Sequence, residues 1–368
     1  MRRINSVGGA VPRVPEGTLI MPHNPQCLDT LWGDALDIQR KCKDVIIEDS
    51  GNSNRFCFSW YVNSNGDFVK SLDFVPDDVI TLGTPVDDNY CDEVHRAYLT
   101  KWSFGQLCNK AGVPTRYMDK CINSGLQHLV PANINDFLIF QNKKLLIRLY
   151  NDEVRGILGS KYVTLDTPDI IQVVAQSQFL SGANIKGYVL DPTRLHLRLV
   201  MNEPLTVQGE DLFPGVAITS SDVGKSSLRV QFFVYKEVCT NGLMLPISQS
   251  LVFEQKHIGI AIDEFARDLK DNLSQCSKYA SNVSERIGKL KFEQGLSRKE
   301  LSHLLKMGAD KTLFSEQAIE EVLDLSYCNY SPTQWGLINA ITQYAQRFTI
   351  ERRVQFEEFA GNLLYRDI

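Results

Sequence analysis

The 368-residue sequence predicts an α+β fold: a central antiparallel-rich sheet with packed helices, followed by a helical C-terminal domain. Three observations carry this reading. From Leu228 to about Cys239 the chain alternates, with Leu228, Val230, Phe232 and Val234 on one face and Arg229, Gln231, Phe233 and Tyr235 on the other. Upstream, KKLLIRLY, the Asn151-Asp152 turn and VRGILGSKYVTLD form a hairpin, and LHLRLV (195–200) alternates again. From Ile262 onward the texture changes to long amphipathic helices with few breakers.

In chain order, residues 1–33 read as an N-terminal arm or linker, rich in Pro and Gly, with disorder or docking on a neighbouring subunit as its two readings. Residues 34–260 form the expected α+β core and 261–368 the helical domain. A helix running into a strand is expected between Asp34 and Asp49, and Phe56–Asn63 opens a hairpin turned by Asn65-Gly66. Residues 73–90, acidic and Pro-interrupted, read as a loop. A helix from Ser103, as N-cap, to Ala111 ends at Gly112, and a second starts near Thr115. Helix, glycine turn and helix also describe a DNA-reading unit, for which Arg116, Tyr117, Lys120 and Asn123 are a thin set; packing onto the sheet is the preferred reading. Thr167-Pro168-Asp169 starts a helix through about Leu180. Phe213-Pro214-Gly215 reads as a turn before the strand Val216-Ala217-Ile218, and Asn241-Gly242 as a tight turn ending the long strand. Ser297 with Glu300 forms a capping box, and further helices follow at 315–327 and from Thr333.

Composition narrows the function classes. No run of eighteen apolar residues exists, so no membrane span is expected, and the N-terminus lacks an apolar h-region, so a cytoplasmic location is. The nine cysteines include no CxxC pair and read as reduced, mostly buried thiols. Cys91 and His95, four apart, would share a helical face, but two ligands are not a site; neither metal nor cofactor is expected. Gly224-Lys225-Ser226 lacks the earlier P-loop glycine, since Thr219 stands there, and a strand rather than a helix follows it. No G-x-S-x-G or HExxH motif occurs. Asp152-Glu153 and Asp87-Asp88 read as solvated turn pairs, and Cys239 near His257 reads as a buried cysteine rather than a nucleophile. An enzyme is not expected.

What remains is a distribution of basic and aromatic residues on or beside the central strands: Lys143, Lys144, Arg148, Arg155, Lys161, Arg194, Arg198, Lys225, Arg229 and Lys236, with Tyr162 and Tyr235 among them. On 195–200, Leu195, Leu197 and Leu199 point inward and His196 and Arg198 outward. Such a sheet face holds single-stranded nucleic acid, phosphates on the cations and bases on the rings. The competing reading is a solvated face, because acidic residues nearly balance the charge. A net charge of −5 argues against coating duplex DNA by charge alone.

Val154-Arg155 through Ser160-Lys161-Tyr162, Ser221-Asp222-Val223-Gly224 with Val238-Cys239-Thr240-Asn241-Gly242, and Asn339-Ala340-Ile341-Thr342 together resemble a phage- and plasmid-borne protein family of unknown function, over roughly residues 95 to 365. The sequence departs from that pattern at Ser220 or Ser221, where the family has Asn, and at Gly159, where a larger residue is common. The resemblance implies a phage, prophage or plasmid gene product working in bacterial cytoplasm. The core is further similar to phage annealing proteins of the Erf and Sak kind, which implies a single-stranded-DNA-binding homo-oligomer, ring-shaped in those proteins, that promotes annealing and recombination. The alternative is a protein-interaction factor that binds a host protein through the C-terminal helices and the acidic 73–92 loop.

Overall fold

The computed structural model describes residues 28–81, 89–176, 183–207, 209–236, 241–244, 252–255, 264, 267–268, 271, 276–291, 295–308 and 313–366. It is a mixed α+β structure built on two sheets.

The first sheet holds β1 (Cys42–Ile47), β2 (Phe56–Val62), β3 (Phe68–Phe74), β4 (Asp78–Thr81), β5 (His95–Leu99), β6 (Leu145–Tyr150) and β7 (Glu153–Gly159), in the order β2-β3-β5-β7-β6-β1-β4. All pairs are antiparallel except β5 with β7. Helices α2 (Lys101–Ala111), α3 (Thr115–Asn123) and α4 (Leu129–Gln141) close one core against it, with Phe56, Phe58, Phe74, Phe104, Leu107, Ile134, Ile147 and Ile157 among the buried residues. The two hairpins turn where expected: Gly66 and Asn151 take positive φ, 84° and 51°. Gly112 caps α2 in the left-handed conformation, but the N-cap is Thr100, three residues before the expected Ser103, which completes the capping box from inside the helix. The stretch expected as a loop from residue 73 contributes the end of β3 and all of β4. Cys91 lies in a short 3-10 turn and His95 on β5, so they share no helical face; the His95 ring stacks on Tyr90.

The second sheet holds β8 (Ala183–Asp191), β9 (Arg194–Met201), β10 (Leu205–Val207), β11 (Glu210–Ser220), β12 (Leu228–Lys236), β13 (Asn241–Met244) and β14 (Val252–Gln255). Its path is β13-β12-β11-β9-β8, with β10 beside β11 and β14 beside β12. As the alternation requires, Leu228, Val230, Phe232 and Val234 join Leu195, Leu197 and Leu199 in one hydrophobic cluster. That cluster also takes in α1 (Leu28–Gln39), α5 (Thr167–Gln176) and the C-terminal helices α6 (Cys276–Lys291), α7 (Arg298–Gly308), α8 (Glu316–Asn329), α9 (Gln334–Ala345) and α10 (Ile350–Leu363). α1 begins inside the stretch read as an arm. The expected extensions to Leu180 and from Ile262 to residue 275 lie largely outside the described residues.

Two turn expectations are corrected. Phe213-Pro214-Gly215 continues β11 as strand, because Pro214 falls where β10 has stopped pairing (Leu212) and β9 has yet to begin (Gly215), so its missing N–H breaks no ladder bond on that side. Asn241 and Gly242 pair with Lys236 and Tyr235 as part of β13, so they are strand rather than the expected turn; residues 237–240 lie outside the described residues.

Helix α9 is buried nearly all round, which explains its polar residues: Asn339 Nδ2 donates to Trp335 O (2.8 Å) and Thr342 Oγ1 to Asn339 O (2.9 Å), so each is satisfied within the helix.

Gly215 marks the tightest crossing in the second sheet. A Cβ there would stand 2.5 Å from Leu199 O and 2.8 Å from the Phe233 ring. Gly215→Ala is expected to destabilise by about 1–3 kcal/mol through overpacking. Gly33→Ala, on the exposed side of α1 with nothing within 4 Å, is expected to stabilise by about 0.5–1 kcal/mol. Urea unfolding of the two variants beside wild type checks both signs.

A double cleft around the Ser221–Lys225 turn

The turn between β11 and β12 is where the two sheets meet. Its Asp222 is held by two arginines of the first sheet, and Val223 and Ser221 by α2 and neighbouring loops. Arg148, from the middle of β6, donates from Nε to Asp44 Oδ1 (2.9 Å), from Nη1 to Asp222 O (2.8 Å) and from Nη2 to Asp166 Oδ1 (2.6 Å). Arg155, on β7, donates from Nη1 to Asp222 Oδ2 (2.6 Å) and to Pro192 O (2.8 Å). Trp102 Nε1 and Gln106 Nε2 of α2 both donate to Val223 O, at 3.2 and 2.9 Å. Gln106 Oε1 accepts in turn from Ile157 N (2.8 Å). Tyr162 Oη donates to Ser221 O, and Ser221 Oγ donates to Thr193 O while accepting from Lys225 N. Gly156 lets the turn approach: a Cβ there would stand 2.9 Å from Val223 Cβ.

Three carboxylates thus face two guanidiniums in a buried junction. Burial alone would lower the Arg148 pKa, but Asp222, Asp166 and Asp44 together raise it well above the ordinary value. Asp44 pays the opposite way: burial raises its carboxyl against the pull of Arg148, and its Oδ2 has no hydrogen-bond partner among the described residues.

A second polar joint covers the other face of the second sheet. There Arg198 meets Glu357 of α10 through Nη2 (2.5 Å), Arg353 meets the same carboxylate through Nε (2.8 Å), and Gln231 Nε2 donates to Glu358 (2.9 Å). Arg198 Nε, which can only donate, faces His196 Nε2 at 3.2 Å, so that nitrogen holds a lone pair and Nδ1–H donates to Thr219 Oγ1 (2.8 Å). Burial first, then the charge of Arg198, keep this imidazole neutral by lowering its pKa well below the usual value.

These positions revise part of the expected site. Arg148, Arg155 and Arg198 are buried and ion-paired, so a phosphate has no access to them, and the outward-facing His196 is covered by α10. Lys144 pairs with Glu48 at the surface (2.6 Å), Lys236 with Glu210 (3.1 Å), and Tyr235 lies beneath Lys186, all away from the turn. The remaining residues do come together. Lys161 and Tyr162 line a cleft of about 440 Å³ on one side of the turn, with Trp102, Gln106, Lys110, Gly159 and Gly224. Arg194, Lys225 and Arg229 line a cleft of about 570 Å³ on the other side, with Trp102, His196, Thr219 and Gln231. Trp102 belongs to both walls. Lys143 lies close enough to Lys110 for its charge to act on it. Neither lining contains a carboxylate, although Arg194 is met by Asp191 and Arg229 by Glu254 and Glu358 from the rim.

Trp102, Gln106 and Lys110, on α2 rather than on the central strands, are not among the expected site residues. Their signal is the spacing of four, which places all three on one face of α2. Cys239 and His257 lie outside the described residues, and among those described no three His, Cys, Asp or Glu side chains cluster as a metal site would.

Fold and site together define an α+β protein with a basic, aromatic-walled double cleft at a sheet junction. A family model described as a domain of unknown function, DUF932, matches residues 154–363, more than half of the chain, and the chain belongs to that family. No curated protein and no solved structure matches it. The matched region includes Arg155, the turn and α10, while Asp44, Arg148 and the cleft wall on α2 lie outside it. No helix among the described residues is long and apolar enough to cross a membrane.

The junction makes two expectations. Asp222→Ala removes the carboxylate shared by both arginines and is expected to destabilise by about 3–5 kcal/mol, since it leaves buried charge uncompensated. For Asp44 the folded pKa is raised, so its proton stabilises the native state fully below the unfolded value of about 4 and that contribution is lost as pH rises through the folded value. The stability difference between wild type and Asp44→Asn is therefore expected to shift in favour of the variant as pH rises from about 4, and urea titrations of both proteins across that range test it.

Proposed function

We propose that the protein binds single-stranded DNA in the double cleft and promotes annealing or recombination without covalent chemistry, as a homo-oligomer encoded by a phage, prophage or plasmid and working in bacterial cytoplasm. One observation carries the reading: in a chain of net charge −5, the two clefts that flank the turn are lined by five cationic side chains, an indole and no carboxylate. Lys161, Lys225 and the accessible parts of Arg194 and Arg229 would face phosphates, and Trp102, standing between the clefts, would stack on an unpaired base. A duplex buries its base faces, so a stacking wall favours the single strand.

A second reading, a factor that binds a host protein, is favoured by a different observation. Helix α4 packs inward through Val130, Ile134 and Leu138 but also turns Phe137 and Phe140 outward, the latter 83% exposed.

Fluorescence anisotropy with a labelled single-stranded oligonucleotide, beside a duplex of equal length, decides between them. Single-strand-preferring binding that weakens steeply with salt is expected, and Lys161→Glu with Lys225→Glu is expected to weaken it by about a hundredfold or more at physiological salt. If that double variant binds as wild type does, the cleft is not the site. Absence of binding at low salt, together with a stoichiometric host protein that is lost in Phe137→Ser with Phe140→Ser, would favour the second reading.

A further inference from the structure

Resting on the nucleic-acid reading, the two halves of the cleft do different work: we infer that the half under Lys110 is a phosphate-gripping subsite, and that α2 supplies it. In the larger half, Arg194 and Arg229 already hold carboxylates, and Lys225 Nζ rests on Thr193 Oγ1 at 3.0 Å. In the smaller half, neither Lys110 nor Lys161 has a carboxylate within 4.0 Å among the described residues, and no carboxylate lines the wall. The positive charge left for a ligand is concentrated there.

Geometry fixes where that charge sits. Trp102 and Gln106 are both tied to Val223 O, and Gln106 is also tied to Ile157 N, so the face of α2 is held against β7 and the turn. One helical turn beyond Gln106, Lys110 reaches over Gly159, its Nζ 3.4 Å from where a glycine Cβ would stand. Gly159 carries no side chain there, so the space over the strand end stays open. Lys161 stands two residues further along the same strand end, exposed, and Lys143 adds its charge from the start of β6. Burial and the Lys143 ammonium both disfavour the charged form of Lys110, which is the condition that an arriving anion relieves.

The ligand chemistry is a phosphate group with its charge spread over several oxygens, either a phosphodiester inside a strand or the monophosphate at a strand end. Lys110 and Lys161 on the lining, with the charge of Lys143 acting nearby, suit an anion whose charge is shared by several oxygens. Lys110 and Lys143 precede Val154 and lie outside the family match, whereas Gly159 and Lys161 lie inside it.

The test compares Lys110→Met, which keeps the apolar stem and removes the charge, with Lys110→Arg, which restores a cation. Anisotropy is read with unphosphorylated, 5′-phosphorylated and 3′-phosphorylated oligonucleotides, and competition by inorganic pyrophosphate is measured on the same proteins. A phosphodiester subsite predicts that Lys110→Met weakens every oligonucleotide by about tenfold and lowers the salt slope by about one, with Lys110→Arg near wild type. A terminal-phosphate subsite predicts tighter binding of one phosphorylated end in wild type, with that gain lost in Lys110→Met and kept in Lys110→Arg. If Lys110→Met binds all three oligonucleotides and pyrophosphate as wild type does while Lys161→Glu with Lys225→Glu abolishes binding, the subsite falls and the nucleic-acid reading stands. If wild type binds no oligonucleotide but binds pyrophosphate in a Lys110-dependent way, the subsite stands and the nucleic-acid reading falls.

Discussion

The structure depends on one arginine. Arg148 sits at 0% exposure in the middle of β6, and its five N–H groups reach Asp44 on the next strand, Asp166 just before α5 and Asp222 in the turn of the second sheet. Its charge-assisted bonds tie together three separated parts of the chain. A buried ion cluster is a poor source of net stability, because desolvation offsets most of the Coulomb gain. Its value is geometric. The planar guanidinium accepts its partners only in fixed directions, so the second sheet docks against the first in one register, and a slipped arrangement would leave charges buried and unpaired.

The same logic sorts the basic residues. Where an arginine or lysine meets a carboxylate in a dry setting, it builds the fold: Arg148 and Arg155 at the sheet junction, Arg198 and Arg353 beneath α10. Lys110 and Lys161, which meet none among the described residues, line the cleft beside Arg194 and Arg229, whose carboxylate partners are partly exposed. The neutral His196 belongs to the first group, since a second positive charge beside Arg198 would be repelled and dehydrated together. Sheet faces are therefore divided between joints and openings by where the acidic partners fall in the sequence, and those partners lie far away: Glu357 is 159 residues from Arg198, and Asp44 is 104 from Arg148.

That distance decides what was legible in the chain. Strand alternation at Leu228–Val234 and Leu195–Leu199 is a local signal of period two, and the structure buries those residues together. The caps at Gly112 and Ser297 are equally local, each written within three or four residues. Alternation says which residues share a face, not what covers it. Alternation turns His196 and Arg198 outward, and α10 covers that side with Glu357, a carboxylate no local pattern announces. The Ser221-Asp222-Val223-Gly224 segment carried the resemblance without any visible reason for its residues. Its reasons are long-range: Asp222 for two arginines, Val223 O for Trp102 and Gln106, and Gly224 for a positive φ of 76° beside Leu158. Pro214 misled for the converse reason, because its tolerance in β11 follows from where two other strands begin and end.

The turn that joins the sheets also forms the wall between the two clefts, so the constraint that holds the fold together is the one that shapes the opening. Trp102 Nε1 and Gln106 Nε2 donate to Val223 O, and Gln106 Oε1 accepts from Ile157 N, which leaves the indole ring and Lys110, one helical turn on, lining the cleft. A loop built only for docking would be expected to bury its surroundings; this one is pinned from beneath through Asp222 and left open on both flanks. Rigid backing with an open, uncompensated front is what a binding site needs in order to meet an anion without first reorganising, since the ordering has been done during folding. The fold-determining charges are paired and buried, and Lys110 and Lys161, which meet no carboxylate among the described residues, are held on the same frame, as the proposed anion site requires.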